Sequence, residues 1–540
     1  MIKKFVSYQS KTITGAALVL GAASFISRII GLLRDRLFAH QFGAGETLDI
    51  YYAAFRIPDL LYTVLIAGAL SAGFIPVFIR LWEKSEEQAW RLTNNVLHII
   101  AISLFVCGAL LYILMPLIIP ILVPGFSANA IETTVHLSRI MLFSPFLLGI
   151  SGIVSGVLQA KKSFFIYSLT PILYNLGIII AAAFFVPLYG ISALAYGVIA
   201  GAIMHLIIQL PTLYQYGFRY RAVCSLRDPD MRTILSLMIP RTATLAVHQA
   251  NIFITTIIAS TLAAGSISVF HFANNLQYVA IGIVGISFAL AAFPSLSEAV
   301  SQKNMERFTD QLMRTTKQIL YFIIPFSIIL LLLRAQIVRL LLGSGAFDWN
   351  ATIATANTIA FFSLSLFAQA LIPLFIRAFY AFENTKTPLL IAFITMLFHI
   401  IGSLAFKDSL GVAGLALAFS LSSLFQIIAL WYVLRRHMHN GFAENNHLSS
   451  IYKIIVAGIC MGIGIQMSKS PLAQLVDMER FWGIALQATG ATLCGVIIYL
   501  FLSYILKIEE FILLQKTLHR RWLKLWKVEG SISSETDGIS

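Results

Sequence analysis

Apolar residues in this chain run on far beyond the stripe that a soluble helix buries, and short polar or Gly/Pro-rich breaks separate the runs. A run of about 18 or more such residues is long enough to cross the hydrocarbon layer as a helix. The pattern predicts fourteen spans, near 13–41, 50–79, 95–122, 136–159, 164–187, 190–213, 234–262, 266–297, 318–342, 352–381, 387–406, 411–434, 451–468 and 482–506. The fold class expected is an all-α polytopic membrane protein. A polar, basic segment, 507–540, follows, and its end, VEGSISSETDGIS, has the composition of a disordered tail. The opening MIKKFVSYQSK resembles a signal peptide. No small-residue cleavage site follows it, and the apolar segment continues into SRIIGLLRDR, so it reads as an uncleaved first span.

Composition agrees. Of 540 residues, 58% are hydrophobic and 11% charged, against about 25% charged in a soluble domain. Cys107, Cys224, Cys460 and Cys494 have neither metal-ligand nor redox spacing. The formal net charge of +14 is better explained by basic loops facing anionic headgroups than by a nucleic-acid partner. With the N-terminus inside, the inner connections hold Arg80, Lys84 and Arg91, Lys161 and Lys162, Arg219 and Arg221, Lys303 and Arg307, Lys386, and Arg435 and Arg436. The opposite loops, among them HQFGAGE, VPGFSANA, PLYG and LAAGS, are nearly free of basic residues, with Lys407, Lys469 and Arg480 as exceptions. An even number of spans puts both termini in the cytoplasm.

The chain also repeats itself weakly at a spacing near 220. FGAGETLDIYYAAF (42–55) resembles LAAGSISVFHFANN (262–275), and each precedes an apolar stretch that ends near a proline, Pro76 or Pro294. The expected organisation is a six-helix lobe, 1–215, a second, 216–440, two further helices, 441–506, and a basic cytoplasmic tail, 507–540. Transporters are often built from such halves around a central site near the midplane.

Ionisable residues inside the spans are the informative ones, because a charge at the bilayer centre costs about 2.5–3.5 kcal/mol on insertion scales. The first span carries Arg28, Arg34, Asp35 and Arg36. Arg28 stands about 22 Å along it at 1.5 Å per residue. Snorkelling to the far face would place three arginines outside, against the charge bias elsewhere, so a hydrated cavity accounts for them better. Gly31 is expected to allow close packing or a bend. The second span carries Arg56, Pro58 and Asp59, with Asp49 near its outer start. Pro58 can kink it. Arg56 and Asp59 form either an i, i+3 ion pair or part of the cavity lining with Arg28 and Arg34.

The second half is polar but less charged. Its seventh span has Arg241, His248, Gln249 and Asn251, its eighth His271, Asn274, Asn275 and Gln277, and its tenth Gln369 and Arg377. Arg241, near the cytoplasmic start, reads as snorkelling. Single amides and imidazoles mostly bond neighbouring helices, but their clustering makes a cavity lining the expectation. Arginine clusters favour planar multivalent anions such as phosphate. No phosphate loop, catalytic triad, metal cluster or nucleotide motif appears. The chain therefore reads as a transporter without a cofactor, and not as an enzyme. Its energy is expected from the membrane potential, a gradient of a monovalent cation or consumption of product.

SRIIGLLRDRLFAHQFGAGETLDIYYAAFRIPDLL with GALSAGFIPVF (27–78), GVLQAKKSFFIYSLTPILYNLG (156–177), ASTLAAGSISVFHFANNLQ with AAFPSLSEA (259–299) and RAFYAFENTKTP (377–388) keep the order and spacing of a known family. On these blocks the chain resembles the MurJ/MviN family of lipid II flippases, in the superfamily of multidrug, oligosaccharidyl-lipid and polysaccharide exporters. The resemblance implies two six-helix lobes that alternate access to a cationic cavity, and a lipid-tail groove on the two extra helices. It also implies a bacterial inner-membrane location. The implied cargo is the undecaprenyl-diphosphate-linked peptidoglycan precursor, with membrane lipids and the cell-wall synthesis machinery as further partners. Arg28, Arg34, Asp35 and Asp49 match positions of functional weight in the family, and Arg56 falls where it often has a basic residue.

There are departures. An arginine pair after the PxLL of the second span is replaced by Tyr62 and Thr63, an acidic residue by Ala67, and an arginine of the eighth span by Asn275. An exporter of another polyprenyl-linked oligosaccharide is the alternative these suggest. A drug–cation antiporter would need acidic residues in the spans, and a non-transporting scaffold for cell-wall enzymes would not need the arginines.

Overall fold

The computed structural model describes residues 13–67, 73–437 and 444–516. The N-terminal basic segment, the GALSA of the second-span motif, the tail beyond 516 and the side chain of Arg241 lie outside the described residues. Among the described residues, regular secondary structure is helical throughout. Helix α1 is Ile13–Phe42 and α2 is Glu46–Tyr62, which continues into a wide π turn, Thr63–Ala67. Next come α3 (Ile75–Lys84), α4 (Glu86–Leu122), α5 (Ala128–Met141), α6 (Phe143–Ala160), α7 (Phe164–Ile180) and α8 (Ser192–Ile207). The second half holds α9 (Pro229–Ser260), α10 (Ser266–Ala280), α11 (Ser287–Ser301), α12 (Met305–Leu332), α13 (Arg334–Leu341), α14 (Trp349–Ser363), α15 (Leu366–Ala381), α16 (Lys386–Leu410) and α17 (Val412–His437). The chain ends on α18 (Glu444–Leu475) and α19 (Phe481–Ile505).

Ten helices among the described residues are long and apolar enough to cross a membrane, or up to eleven if α14 and α15, bent by 49°, are one span. The other expected spans, 13–41, 50–79 and 234–262, fall on α1, α2 and α9, and each includes residues or side chains outside the described ones. Within α9, Leu245–Ser260 is a described apolar stretch.

The chain divides into two compact units that are discontinuous in sequence. The first runs to Phe272 and adds Leu341–Thr355 and Met396–Ala418; the second comprises Ala273–Leu340, Ala356–Thr395 and the chain from Phe419. In the first, Phe38, Leu48, Ile66, Phe74, Phe78 and Leu104 are fully buried, whereas Phe105, Ile113 and Leu117 of α4 point outward. Exposed apolar side chains of this kind suit a lipid solvent. In the second, Tyr321, Leu333, Ile454, Met461, Ile465 and Tyr499 form a core where α12, α18 and α19 meet.

Prolines test the rule that backbone groups in hydrocarbon must find partners inside the protein. Each proline lacks the N–H that would bond the carbonyl four residues back. At four of them a side chain supplies the missing donor. Ser138 Oγ donates to Ala54 O behind Pro58 (3.1 Å), and Arg139 Nε to Tyr112 O behind Pro116 (3.1 Å). Thr170 Oγ1 donates to Tyr167 O behind Pro171 (2.8 Å), and Tyr499 Oη to Tyr321 O behind Pro325 (2.8 Å). Pro58 is thus accommodated within one continuous α2.

The repeat seen in sequence recurs in local geometry. Gly45 and Gly265 immediately precede α2 and α10, 220 positions apart. Each of these helices then opens into a π turn, Thr63–Ala67 and Ile281–Ile286. Lys162 and Glu383, 221 positions apart, both end a helix in the left-handed region, with φ 58° and 57°. Each is closed by the same wide-loop bond, Ser163 N to Leu158 O (2.8 Å) and Asn384 N to Phe379 O (3.0 Å).

Candidate functional site

The polar residues of the first unit are held by α1, α2, α7, α9 and the start of α10. Within α1, Arg34 and Asp35 are adjacent and ion-paired. Arg34 Nε and Nη2 both donate to Asp35 Oδ1, at 3.1 and 2.8 Å. Asp35 is sealed, with 3% of its side chain exposed, whereas Arg34 keeps 21%. Arg34 Nη1 donates to Asn175 Oδ1 on α7 at 3.0 Å. Its guanidinium also lies 5.8 Å from the Phe38 ring centre. Arg28 and Arg36 are half-buried on the same helix. Gly31 makes none of the close packing expected of it, since a Cβ there would meet no atom within 4 Å.

On α2, Arg56 and Asp59 hydrogen-bond to different side chains of α9. Arg56 Nε donates to Thr256 Oγ1 on α9 at 3.0 Å. Asp59 Oδ2 accepts from Gln249 Nε2 at 3.3 Å, and the same amide donates to Thr63 Oγ1 at 2.9 Å. The terminal nitrogens of Arg56 donate to no side chain or carbonyl among the described residues. The charges of Arg34 and Arg56 both bear on the half-buried His271, whose ring centre lies 3.9 Å from that of Tyr52. Of the departures, Thr63 shares the Gln249 amide with Asp59, and Tyr62 beside it is half-buried.

Asp49 does something different. Its carboxylate closes on the N-terminus of α10, accepting from Gly265 N (2.8 Å), Ser268 N (2.7 Å) and Ser268 Oγ (2.5 Å). A helix start offers unpaired N–H groups and a positive dipole end, so a carboxylate there is a charged cap. Gly265 makes the approach possible: at φ 90° it occupies the left-handed region, and a side chain on it would strike the Ala44 carbonyl. Asp49 is 2% exposed and is spent on this cap.

Asn274, Asn275 and Arg377 fall in the second unit. Asn274 Oδ1 accepts from Gln277 Nε2 (3.1 Å), and Gln277 Oε1 accepts from Gln369 Nε2 (3.1 Å). That amide also donates to Ser365 Oγ, which donates to Ser420 Oγ, both at 2.9 Å. Arg377 Nη1 donates to Pro373 O (3.0 Å), and Arg377 and Asn275 are half-buried. The sequence reading missed Asn175, Thr256 and Ser268. Only Asn175, a mid-span amide in the YNLG block, carried a visible signal. No group of three or more His, Cys, Asp or Glu side chains suited to a metal occurs among the described residues.

A family model described as lipid II flippase MurJ matches residues 38–486. The probable lipid II flippase MurJ of Buchnera aphidicola subsp. Baizongia pistaciae is 29% identical over 463 residues, 84% of this chain and 89% of that protein. Its counterpart in Rickettsia prowazekii is 26% identical over 504 residues, 93% and 99%. The lipid II flippase MurJ of Burkholderia cenocepacia is 27% identical over 430 residues, 78% and 83%. A solved structure of lipid II flippase MurJ in an inward closed conformation gives a TM-score of 0.75 at 25% identity, over 90% of this chain and 98% of that one. An inward-facing multidrug resistance MATE family transporter of the MOP superfamily gives 0.66 at 16% identity, over 77% and 95%, a likeness of fold alone. The chain therefore belongs to the lipid II flippase MurJ family and is a multi-pass membrane transporter of the bacterial inner membrane.

Proposed function

We infer that this protein carries lipid II, the undecaprenyl-diphosphate-linked peptidoglycan precursor, across the cytoplasmic membrane by alternating access. Family membership supports this reading, and the observation in the site that carries it is Arg56. Its guanidinium is anchored through Nε alone, with its terminal nitrogens uncommitted among the described residues. Guanidinium forks match phosphate oxygens, and a water-poor setting strengthens each such bond. Arg34 adds a second cation in the same neighbourhood, already restrained by Asp35 and Asn175.

Lipid II cannot drag its charged headgroup through hydrocarbon at acceptable cost. Paired guanidiniums on helices lower that cost by replacing water around the diphosphate. The polyprenyl tail stays in lipid, along the groove assigned to the two C-terminal helices, α18 and α19. With both termini inside, the lobes at 1–215 and 216–440 exchange access between the two faces. The membrane potential or a monovalent cation gradient supplies direction.

Thr63, Tyr62 and Asn275, which replace arginines, support a second reading in which the cargo is another polyprenyl-linked oligosaccharide. Complementation separates the two. In a bacterium depleted of its lipid II flippase, the unsubstituted chain restores growth under the first reading. Failure to restore growth at normal membrane levels would favour the second.

A further inference from the structure

Asn175 stands half-buried near the middle of α7, four residues after Pro171. Its Nδ2 donates to the Pro171 carbonyl at 3.0 Å, which decides the orientation of the amide. The oxygen end is left facing Arg34 and accepts from Nη1 at 3.0 Å. Asp35 takes Nε and Nη2. A guanidinium has five N–H donors, so these three bonds leave two, one on each terminal nitrogen. The open edge belongs to Arg34, since Asp35 beside it is sealed.

We propose that Asn175 is a positioning residue for anion binding: with Asp35 it fixes the plane of the Arg34 guanidinium, so that the two remaining N–H groups are presented together to a phosphate oxygen. A neutral acceptor is the chemistry this needs. A carboxylate at 175 would hold the same geometry but place two negative charges on one guanidinium and repel the incoming anion. A hydrophobic residue would leave the long Arg34 side chain swinging about its single tie to Asp35. Holding it still removes an ordering cost that binding would otherwise carry. The proposal rests on the lipid II reading given above. A plain helix–helix tie between α1 and α7 is the competing account, and it gives Asn175 no special connection to ligand.

A double-mutant cycle distinguishes them. The full chain is placed in nanodiscs, and lipid II binding is titrated with undecaprenol, which carries no phosphate, as a control lipid. Four proteins are compared: unsubstituted, Asn175→Leu, Arg34→Ala and the double variant. The expected result is about a tenfold rise in Kd for Asn175→Leu when Arg34 is present, with little effect on the control lipid. In the Arg34→Ala background the same substitution changes nothing further. Equal weakening in both backgrounds, or no weakening beside Arg34, overturns the proposal. Binding by Arg34→Ala equal to that of the unsubstituted chain overturns the underlying reading instead. If Asn175→Leu does not fold, Asn175→Asp replaces it. The near-isosteric carboxylate is expected to weaken binding at least tenfold beside Arg34, and unchanged affinity beside Arg34 counts against the proposal.

Discussion

Asp49 closes on Ser268, one position short of its own counterpart in the 220-residue repeat. Its Oδ1 takes both the backbone N–H and the hydroxyl of Ser268, while Oδ2 takes the N–H of Gly265. The start of α2 and the start of α10 meet here, and the carboxylate joins them through the helix N-terminus.

Loss of that cap has a measurable cost. Asp49→Ala is expected to destabilise the first unit by about 2 kcal/mol, the upper range for a cap and for a hydrogen bond to a charged group. Thermal unfolding in detergent reads it as a lowered transition temperature. Ser268→Ala should cost less, and the two substitutions together should cost less than the sum of the singles, because they share a partner. Strict additivity would show that the two side chains act independently.

Tyr499 and Pro325 make a second test. The Tyr321 carbonyl loses its helical donor at Pro325 and takes the Tyr499 hydroxyl instead. Tyr499→Phe should cost about 1–3 kcal/mol, the penalty of a buried unsatisfied acceptor. Adding Pro325→Ala returns a backbone N–H to Tyr321 and should recover much of that loss. If Pro325→Ala worsens Tyr499→Phe, the exchange of donors is not what stabilises α12.

Lys317, 3% exposed, is held by Glu509 at 2.6 Å and Glu510 at 3.7 Å, just past α19. Glu510 also accepts from Ser450 Oγ at 3.2 Å. Removing one member of a buried ion pair leaves an uncompensated charge, at about 3–5 kcal/mol. Lys317→Met alone should therefore lower the amount of folded protein in the membrane more than Lys317→Met combined with Glu510→Leu. Equal levels of the two variants would show that Glu510 does not carry the pairing.

Arg34 and Arg56 should differ in their tolerance of lysine. Arg34 bonds two partners along two edges of a planar fork, which an ammonium cannot reproduce. Arg34→Lys is expected to lose most flippase activity, whereas Arg56→Lys, which must replace one bond to Thr256 and a positive charge, should keep part of it. Growth rescue at matched membrane levels measures both, and equal rescue by the two lysine variants would contradict this assignment.

The helical class was legible from the long apolar runs, and the mid-span arginines stood out because a charge inside such a run is costly. The partners of those arginines did not. Thr256 lies 200 positions from Arg56, and Asn175 lies 141 from Arg34. A hydroxyl or amide within a span is ordinary, so nothing local marks it. Asp49 was marked as important, but its task as a cap on α10 depends on a contact 219 positions away. The break between α14 and α15 has neither proline nor glycine at Ser363–Leu366 to announce it. Gly31 is a small residue with nothing packed against it.

The central claim is that Arg56, held through Nε by Thr256, presents its terminal nitrogens to the diphosphate of lipid II. The most direct test is the fraction of lipid II reaching the outer leaflet in flippase-depleted cells that carry either the unsubstituted chain or Arg56→Ala at equal membrane levels. The account predicts outward lipid II with the unsubstituted chain and a drop of at least tenfold with Arg56→Ala. Undiminished translocation by Arg56→Ala would contradict it.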